Sequence, residues 1–200
     1  NPLGVILGYV RVLQKKAEWP LSDDLAVIED EAVRCQEIVE GLLDLSRPSR
    51  ASGGPVDLRE LSDDVVARLR EAGHAFDAKI SVEGTGVVEG QAPKLRQVVL
   101  NLIKNAAEAA GQGGTVRVRV SATDGQVSVA VIDTGPGVPP ESRARLFEPF
   151  FTTKASGTGL GLAVSQAIAQ AHGGNIEVDA YESTGATFTL RLPTAAKESL

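Results

Sequence analysis

A single cysteine, Cys35, in 200 residues permits no internal disulfide and fits a reducing compartment. Aromatic residues are scarce at 4%, which argues against a platform that stacks nucleic-acid bases. Positive charge is outnumbered, with 20 Lys and Arg against 26 Asp and Glu, and the formal net charge of -6 disfavours attraction to nucleic acid. No apolar run reaches the roughly 20 residues of a membrane span, and no signal peptide is visible. Two common phosphate loops are missing as well. There is no G-x-x-x-x-G-K-[ST] run, and no G-x-G-x-x-G directly after a buried strand. The chain opens at Asn1 inside an expected helix and reads as a cytoplasmic fragment. It is expected to contact neither nucleic acid nor membrane, any anchor of the parent lying upstream.

Against these absences stands a hydrophobic fraction of 42%, enough for a sizeable core. Residues 1–47 read as a helical hairpin. Leu3, Ile6, Leu7, Val10 and Leu13 recur at helical spacing, with Pro2 suited to a first turn. "EWPLSDD" breaks the pattern, with Ser22 or Asp23 as the expected cap of the second helix. Leu25, Ile28, Ala32, Cys35, Val39 and Leu42 then alternate steps of three and four, a heptad seam. Two helices alone cannot bury both stripes. A dimeric four-helix bundle is favoured over packing of the hairpin on its own chain.

Residues 48–54 read as a linker, 55–193 as a mixed α/β domain and 194–200 as a tail. Helices are expected at 57–73, 93–111 and 159–174. Strands are expected at "KISVEG", "GVVEG", "NIEVDAY" and "ATFTLRLP", with a hairpin over 114–133 turning at "TDGQ". The fold class is α+β: an α/β sandwich with helices on one sheet face, preceded by the hairpin.

Three segments carry candidate chemistry. "GTGLGLAV" places Gly157, Gly159 and Gly161 at every second position before a helix, whose free N–H groups and positive dipole end favour an anion. Asn101, Asn105 and Glu108 share one face of the 93–111 helix, and Leu95, Val98, Leu102, Ala106 and Ala109 form another, buried one. Asparagine is a poor interior helix residue, so two of them one turn apart ask for a reason. A carboxamide oxygen is a hard ligand suited to Mg²⁺, although surface amides would give the same pattern. Asp133 ends an apolar strand before "TGPG". A buried carboxylate needs donors, which an exocyclic amine or a local turn can supply. "RLFEPFFTTK" carries Phe147, Phe150 and Phe151 beside glycine-rich segments, in the manner of a movable flap.

Together these segments resemble the catalytic ATP-binding domain of sensor histidine kinases, in the GHKL ATPase superfamily. "NLIKNAAEA" is similar to the N box, "DTGPG" to the G1 box, "FEPFF" to the F box and "GTGLGLA" to the G2 box, in the family's order. "NPLGVILGY" resembles the phosphotransfer hairpin after its histidine, in the style of nitrogen-regulator kinases. The resemblance implies ATP and Mg²⁺ as ligands, a homodimer through the hairpin, and a response-regulator receiver domain as partner. It implies that Asn105 binds Mg²⁺, with Asn101 supporting the phosphate side. Asp133 would hold the adenine amine in a pocket shaped by Gly135 and Gly137. Gly157, Thr158, Gly159, Leu160 and Gly161 would line the triphosphate, and Lys154 would contact a phosphate. Glu108 stands where many relatives carry a basic residue, which implies a different set of phosphate contacts.

The related ATPases use a glutamate four residues before the Mg²⁺ asparagine to activate water. Here that position is Asn101, which cannot accept the proton. The family pattern H-E-x-x-N-P places the acceptor histidine before Asn1, a position that in relatives assists dephosphorylation of the regulator. His74 and His172 lie in the nucleotide domain, so the fragment is expected to lack its own acceptor, and His172 reads as a last-turn residue at a helix end.

Overall fold

The computed structural model describes residues 2–18, 21–46, 53–71, 78–123, 125–154, 157–180 and 185–194. Asn1 and His74 lie outside the described residues.

The hairpin consists of α1 (Pro2–Gln14) and α2 (Leu21–Ser46). Ser22 and Asp23 are not the cap, because α2 already starts at Leu21; Asp23 and Asp24 instead place negative charge in the first turn, where the helix dipole favours it. Leu7, Val10, Leu25 and Ala32 are buried, and Arg11 Nε donates to Glu29 Oε1 at 2.6 Å across the pair. Much of the stripe is not covered. Ile6, Leu13, Ile28, Val39 and Leu42 remain about half exposed within one chain.

The second unit begins at β1 (Gly54–Asp57), one residue ahead of the expected domain start. Asp57 ends it and caps α3 (Leu58–Glu71): its Oδ1 accepts the N–H groups of Arg59 at 2.8 Å and Glu60 at 3.1 Å. After β2 (Lys79–Gly84), β3 (Val87–Gly90) pairs antiparallel with β1, so the two expected short strands belong to different sheets. Then come α4 (Ala92–Ala110), the hairpin of β4 (Thr115–Thr123) and β5 (Gln126–Asp133), and a short α5 (Pro140–Arg143). The chain closes with α6 (Gly161–Ala171), β6 (Asn175–Ala180) and β7 (Ala186–Pro193).

The main sheet runs β2-β4-β5-β7-β6. Only β2 and β4 are parallel, and α4 lies in the crossover between them; the other neighbours are antiparallel. Strand alternation divides the sheet cleanly. Val116, Val118, Val120, Val127, Val129, Val131 and Leu190 enter the core with α3, α4 and α6. Arg117, Arg119, Ser121, Ser128 and Arg191 stay on the opposite, polar face. This is the expected α/β sandwich.

The centre of the core is α4, where Leu95, Val98, Val99, Leu102 and Ile103 are fully buried. Ala109, expected on that face, is exposed, and Ala107 is buried instead. A helix running along a sheet buries a stripe that drifts with the 3.6-residue turn, and the last turn has moved off it. His172 ties the far end of α6 to the start of α4. Its Nδ1–H donates to the Ile168 carbonyl at 2.8 Å, and its Nε2 accepts the Gln91 N–H at 3.1 Å.

Candidate functional site

The amides of α4 are committed to one another. Asn101 Nδ2 donates to Ser165 Oγ on α6 at 3.0 Å, and Asn101 Oδ1 accepts a long bond of 3.4 Å from Asn105 Nδ2. With its nitrogen turned to Asn101, Asn105 presents Oδ1 outward, where it accepts from Lys154 Nζ at 3.0 Å. The same ammonium reaches Glu108 Oε2 at 2.5 Å. A continuous polar chain therefore runs from Ser165 through both asparagines to Lys154 and Glu108.

The glycines of "GTGLGLAV" have local steric reasons. A Cβ on Gly161 would stand 2.4 Å from Asn101 Oδ1, so glycine lets α6 approach the amide. Gly159 has φ +68° and would place a Cβ 2.4 Å from the backbone of Phe150. Gly157 would meet Thr152 Oγ1 at 2.5 Å. Because Gly159 is left-handed, α6 begins at Gly161 rather than at Gly159 as expected. Leu160, expected among the triphosphate-lining residues, is buried at 2% exposure in the core, which leaves only its backbone for a ligand. The Thr158 hydroxyl accepts a weak 3.5 Å bond from the Leu160 N–H.

Asp133 lies at the end of β5, 4% exposed. Its Oδ1 accepts from Gly135 N–H at 2.8 Å and from Ala186 N–H at 3.2 Å, which leaves Oδ2 as an acceptor for a ligand. Burial pushes the carboxyl up from its ordinary aspartate value, and these two backbone bonds act in the opposite direction. The Asp133–Gly135 bond is an Asx turn, the local-turn reading of "DTG". Gly135 is needed because a Cβ there would meet the Ala109 carbonyl at 2.6 Å. The Asp133 loop therefore abuts the end of α4, one residue from Glu108. Gly137 takes φ 80°, and Gly185, at φ +88°, lets its segment pass the Asp133 carbonyl, where a Cβ would stand 2.0 Å away.

Between these groups runs the phenylalanine segment. Phe147 is half-buried against the core. The Arg145 guanidinium sits 4.5 Å over the Phe151 ring. Phe150 is the one described non-glycine residue with positive φ, at 68°; it is exposed, and its N–H donates to the Gly159 carbonyl at 2.9 Å. A left-handed phenylalanine is a strained backbone position, held here by that bond.

The structure thus brings Asn101, Asn105, Lys154 and Gly161 into one constellation and Asp133 with Gly135 into an adjoining one. Ser165, the Ala186 N–H and the Glu108–Lys154 pair escape sequence reasoning. Ser165 left a trace as a polar residue on a largely apolar helix, and Glu108 and Lys154 were each legible singly but not as a pair. Among the described residues, no group of three His, Cys, Asp or Glu side chains could hold a metal, and no helix is long and apolar enough to cross a membrane.

Residues 90–196 match the family described as histidine kinase-, DNA gyrase B-, and HSP90-like ATPase, and residues 1–50 match the His Kinase A (phospho-acceptor) domain. The chain belongs to the histidine kinase family. It is 36% identical over 199 residues to the signal transduction histidine-protein kinase AtoS of Escherichia coli, covering 96% of this chain and 33% of AtoS. Full-length ShkA in complex with AMPPNP has 30% identity and a TM-score of 0.79, over 98% of this chain and 44% of ShkA. The histidine kinase ThkA in complex with the response regulator TrrA has 28% identity and a TM-score of 0.72, over 100% of this chain and 59% of that one. The chain spans between 33% and 44% of curated relatives such as AtoS and the sensor histidine kinase ZraS of Salmonella typhimurium.

In this histidine kinase chain the hairpin reaches the glycine loop directly. Gly41 of α2 faces Leu160 and Val164, and a Cβ there would stand 3.1 Å from Leu160 Cδ1. Ile38 packs against the same core.

Proposed function

We propose that the chain is the Mg-ATP-binding and dimerisation portion of a sensor histidine protein kinase. In the parent protein, the γ-phosphoryl group of ATP passes to a histidine preceding Asn1 and then to an aspartate of a response-regulator receiver domain in the cytoplasm. The observation that carries this reading is the meeting of the Asn105 constellation and the Asp133 loop at the C-terminal half of α4. ATP fits the ATPase family that residues 90–196 match.

The bonds support the roles that the resemblance implies. Asp133 Oδ2 would accept the adenine amine, and the two backbone N–H groups on Oδ1 hold the carboxylate in place. Asn105 Oδ1 fits a cation, since it already accepts from the Lys154 ammonium. Bound there, Mg²⁺ would neutralise phosphate charge. Asn101 positions Asn105 and is held by Ser165, and its amide cannot serve as a general base, which favours transfer to a protein acceptor over hydrolysis. The half-exposed apolar stripe of α1 and α2 supports a homodimer, and the ThkA–TrrA complex supports a receiver-domain partner. For Asn1 we propose a part in dephosphorylating that partner.

Calorimetric titration of the chain with ATP, with and without Mg²⁺, tests the site. Mg²⁺-dependent binding that Asn105→Ala abolishes is the expected result, and equal affinity in magnesium and in excess chelator would defeat it. Autophosphorylation is then read on a chain extended upstream through the acceptor histidine.

A further inference from the structure

Glu108 and Lys154 form a pair that the nucleotide reading does not use. The Lys154 ammonium lies between Asn105 Oδ1, at 3.0 Å, and Glu108 Oε2, at 2.5 Å. It is a cation, tethered on the segment before the glycine loop, seated on two oxygens one turn apart on α4. The seat is rigid on one side, because Asn105 is oriented through Asn101 and Ser165. It is open on the other, since the Lys154 and Glu108 side chains are 42% and 33% exposed. An exposed ion pair is worth about 0–1 kcal/mol, so a divalent cation can displace the ammonium. One neutral carboxamide and one carboxylate, completed by water and phosphate oxygens, are also the donor set that Mg²⁺ takes most readily.

We propose that Asn105 and Glu108 together form the Mg²⁺ seat, that Lys154 occupies it in the nucleotide-free protein, and that Mg²⁺ and the ammonium exchange there when ATP binds. Glu108 is then a direct metal ligand, and Lys154 a competitor that leaves for the phosphates only after the metal arrives. The exchange couples metal arrival to release of the 152–154 segment, because Lys154 is bonded within it through its own N–H to Thr152 Oγ1. The inference rests on the nucleotide site proposed above.

The test measures the free Mg²⁺ concentration giving half-maximal ATP binding, by calorimetry, in the wild type and in Glu108→Gln, Glu108→Asp, Lys154→Gln and the double Gln variant. Glu108→Gln should raise that concentration about threefold or more, on the scale of one exposed charge contact. Glu108→Asp keeps the charge but shortens the reach by one methylene, and should also raise it if ligation is direct. Lys154→Gln should lower it, and should do so less in the Glu108→Gln background, where the ammonium has lost its seat. A Glu108→Gln protein with unchanged Mg²⁺ dependence, a Glu108→Asp protein matching wild type, or a Lys154→Gln protein needing more Mg²⁺ would each overturn the exchange while leaving the nucleotide site standing. A wild-type chain that binds no ATP at any Mg²⁺ concentration would remove both.

Discussion

The two units of this chain treat their apolar residues differently. In the α/β unit, α4 drives Leu95, Val98, Val99, Leu102 and Ile103 to zero exposure, and α3, α6 and a five-stranded sheet close over them. In the hairpin, Ile28 keeps 48% exposure and Leu42 45%, although their spacing is as regular as that of α4. Regular spacing says that a face exists; only the number of neighbours says whether it is satisfied. The α/β unit completes its own core, and the hairpin leaves half of its stripe for another surface.

Four substitutions sharpen that contrast, in order of expected size. Leu102→Ala removes a fully buried side chain at the centre of the core and should cost about 2–5 kcal/mol in chemical denaturation. A much smaller loss would mean that the α/β core is no tighter than the hairpin. Asp133→Asn separates stability from binding. It should weaken ATP binding by roughly 10- to 100-fold, the worth of a hydrogen bond to a charged group, while stability holds or rises because a buried charge is gone. The sign with pH is fixed by the raised carboxyl. The folded state holds its proton to higher pH than the unfolded chain, so wild-type stability should fall as pH climbs from the ordinary aspartate range through the raised value. Denaturation curves across that range should flatten in Asp133→Asn.

Ile28→Ser changes the hairpin alone. Sedimentation should show weaker self-association, by about 1 kcal/mol per protomer, with ATP binding unaltered. An unchanged oligomeric state would mean that the stripe is not a dimer seam. Smallest is Gly41→Ala: helix propensity favours alanine by about 1 kcal/mol, and the 3.1 Å approach to Leu160 opposes it. The net shift in thermal midpoint should be within about 2–4 °C, and nucleotide affinity should respond more than stability if the loop senses α2.

The architecture was legible because its signals are periodic. Alternation in "TVRVRVSAT" and "QVSVAVID" gave the hairpin, and proline at the start with glycine at the end bracketed α4. The motif residues were legible as chemistry but not as geometry. Gly161 reads in sequence as room for phosphate, and in the fold it also makes room for Asn101. No local pattern links positions 161 and 101, and only the packing of α6 on α4 does. Lys154 and Glu108 stand 46 residues apart, so their pairing had no signal in spacing. The starts of α2 and α6 moved by a residue or two, since caps and left-handed glycines compete at helix ends.

The glycine at position 41 has a mechanical meaning. A helix turns about 100° per residue, so rotating α2 by one position would take the notch from under Leu160 and present Glu40 or Leu42 there instead. A notch facing a knob on a rotating shaft is a detent: it holds one angular setting and resists the next. Leu160 stands directly beside the left-handed Gly159 that bonds Phe150. Torsion along the hairpin therefore meets the glycine loop and the first turn of α6 at Leu160 and Val164, the two side chains that Gly41 faces.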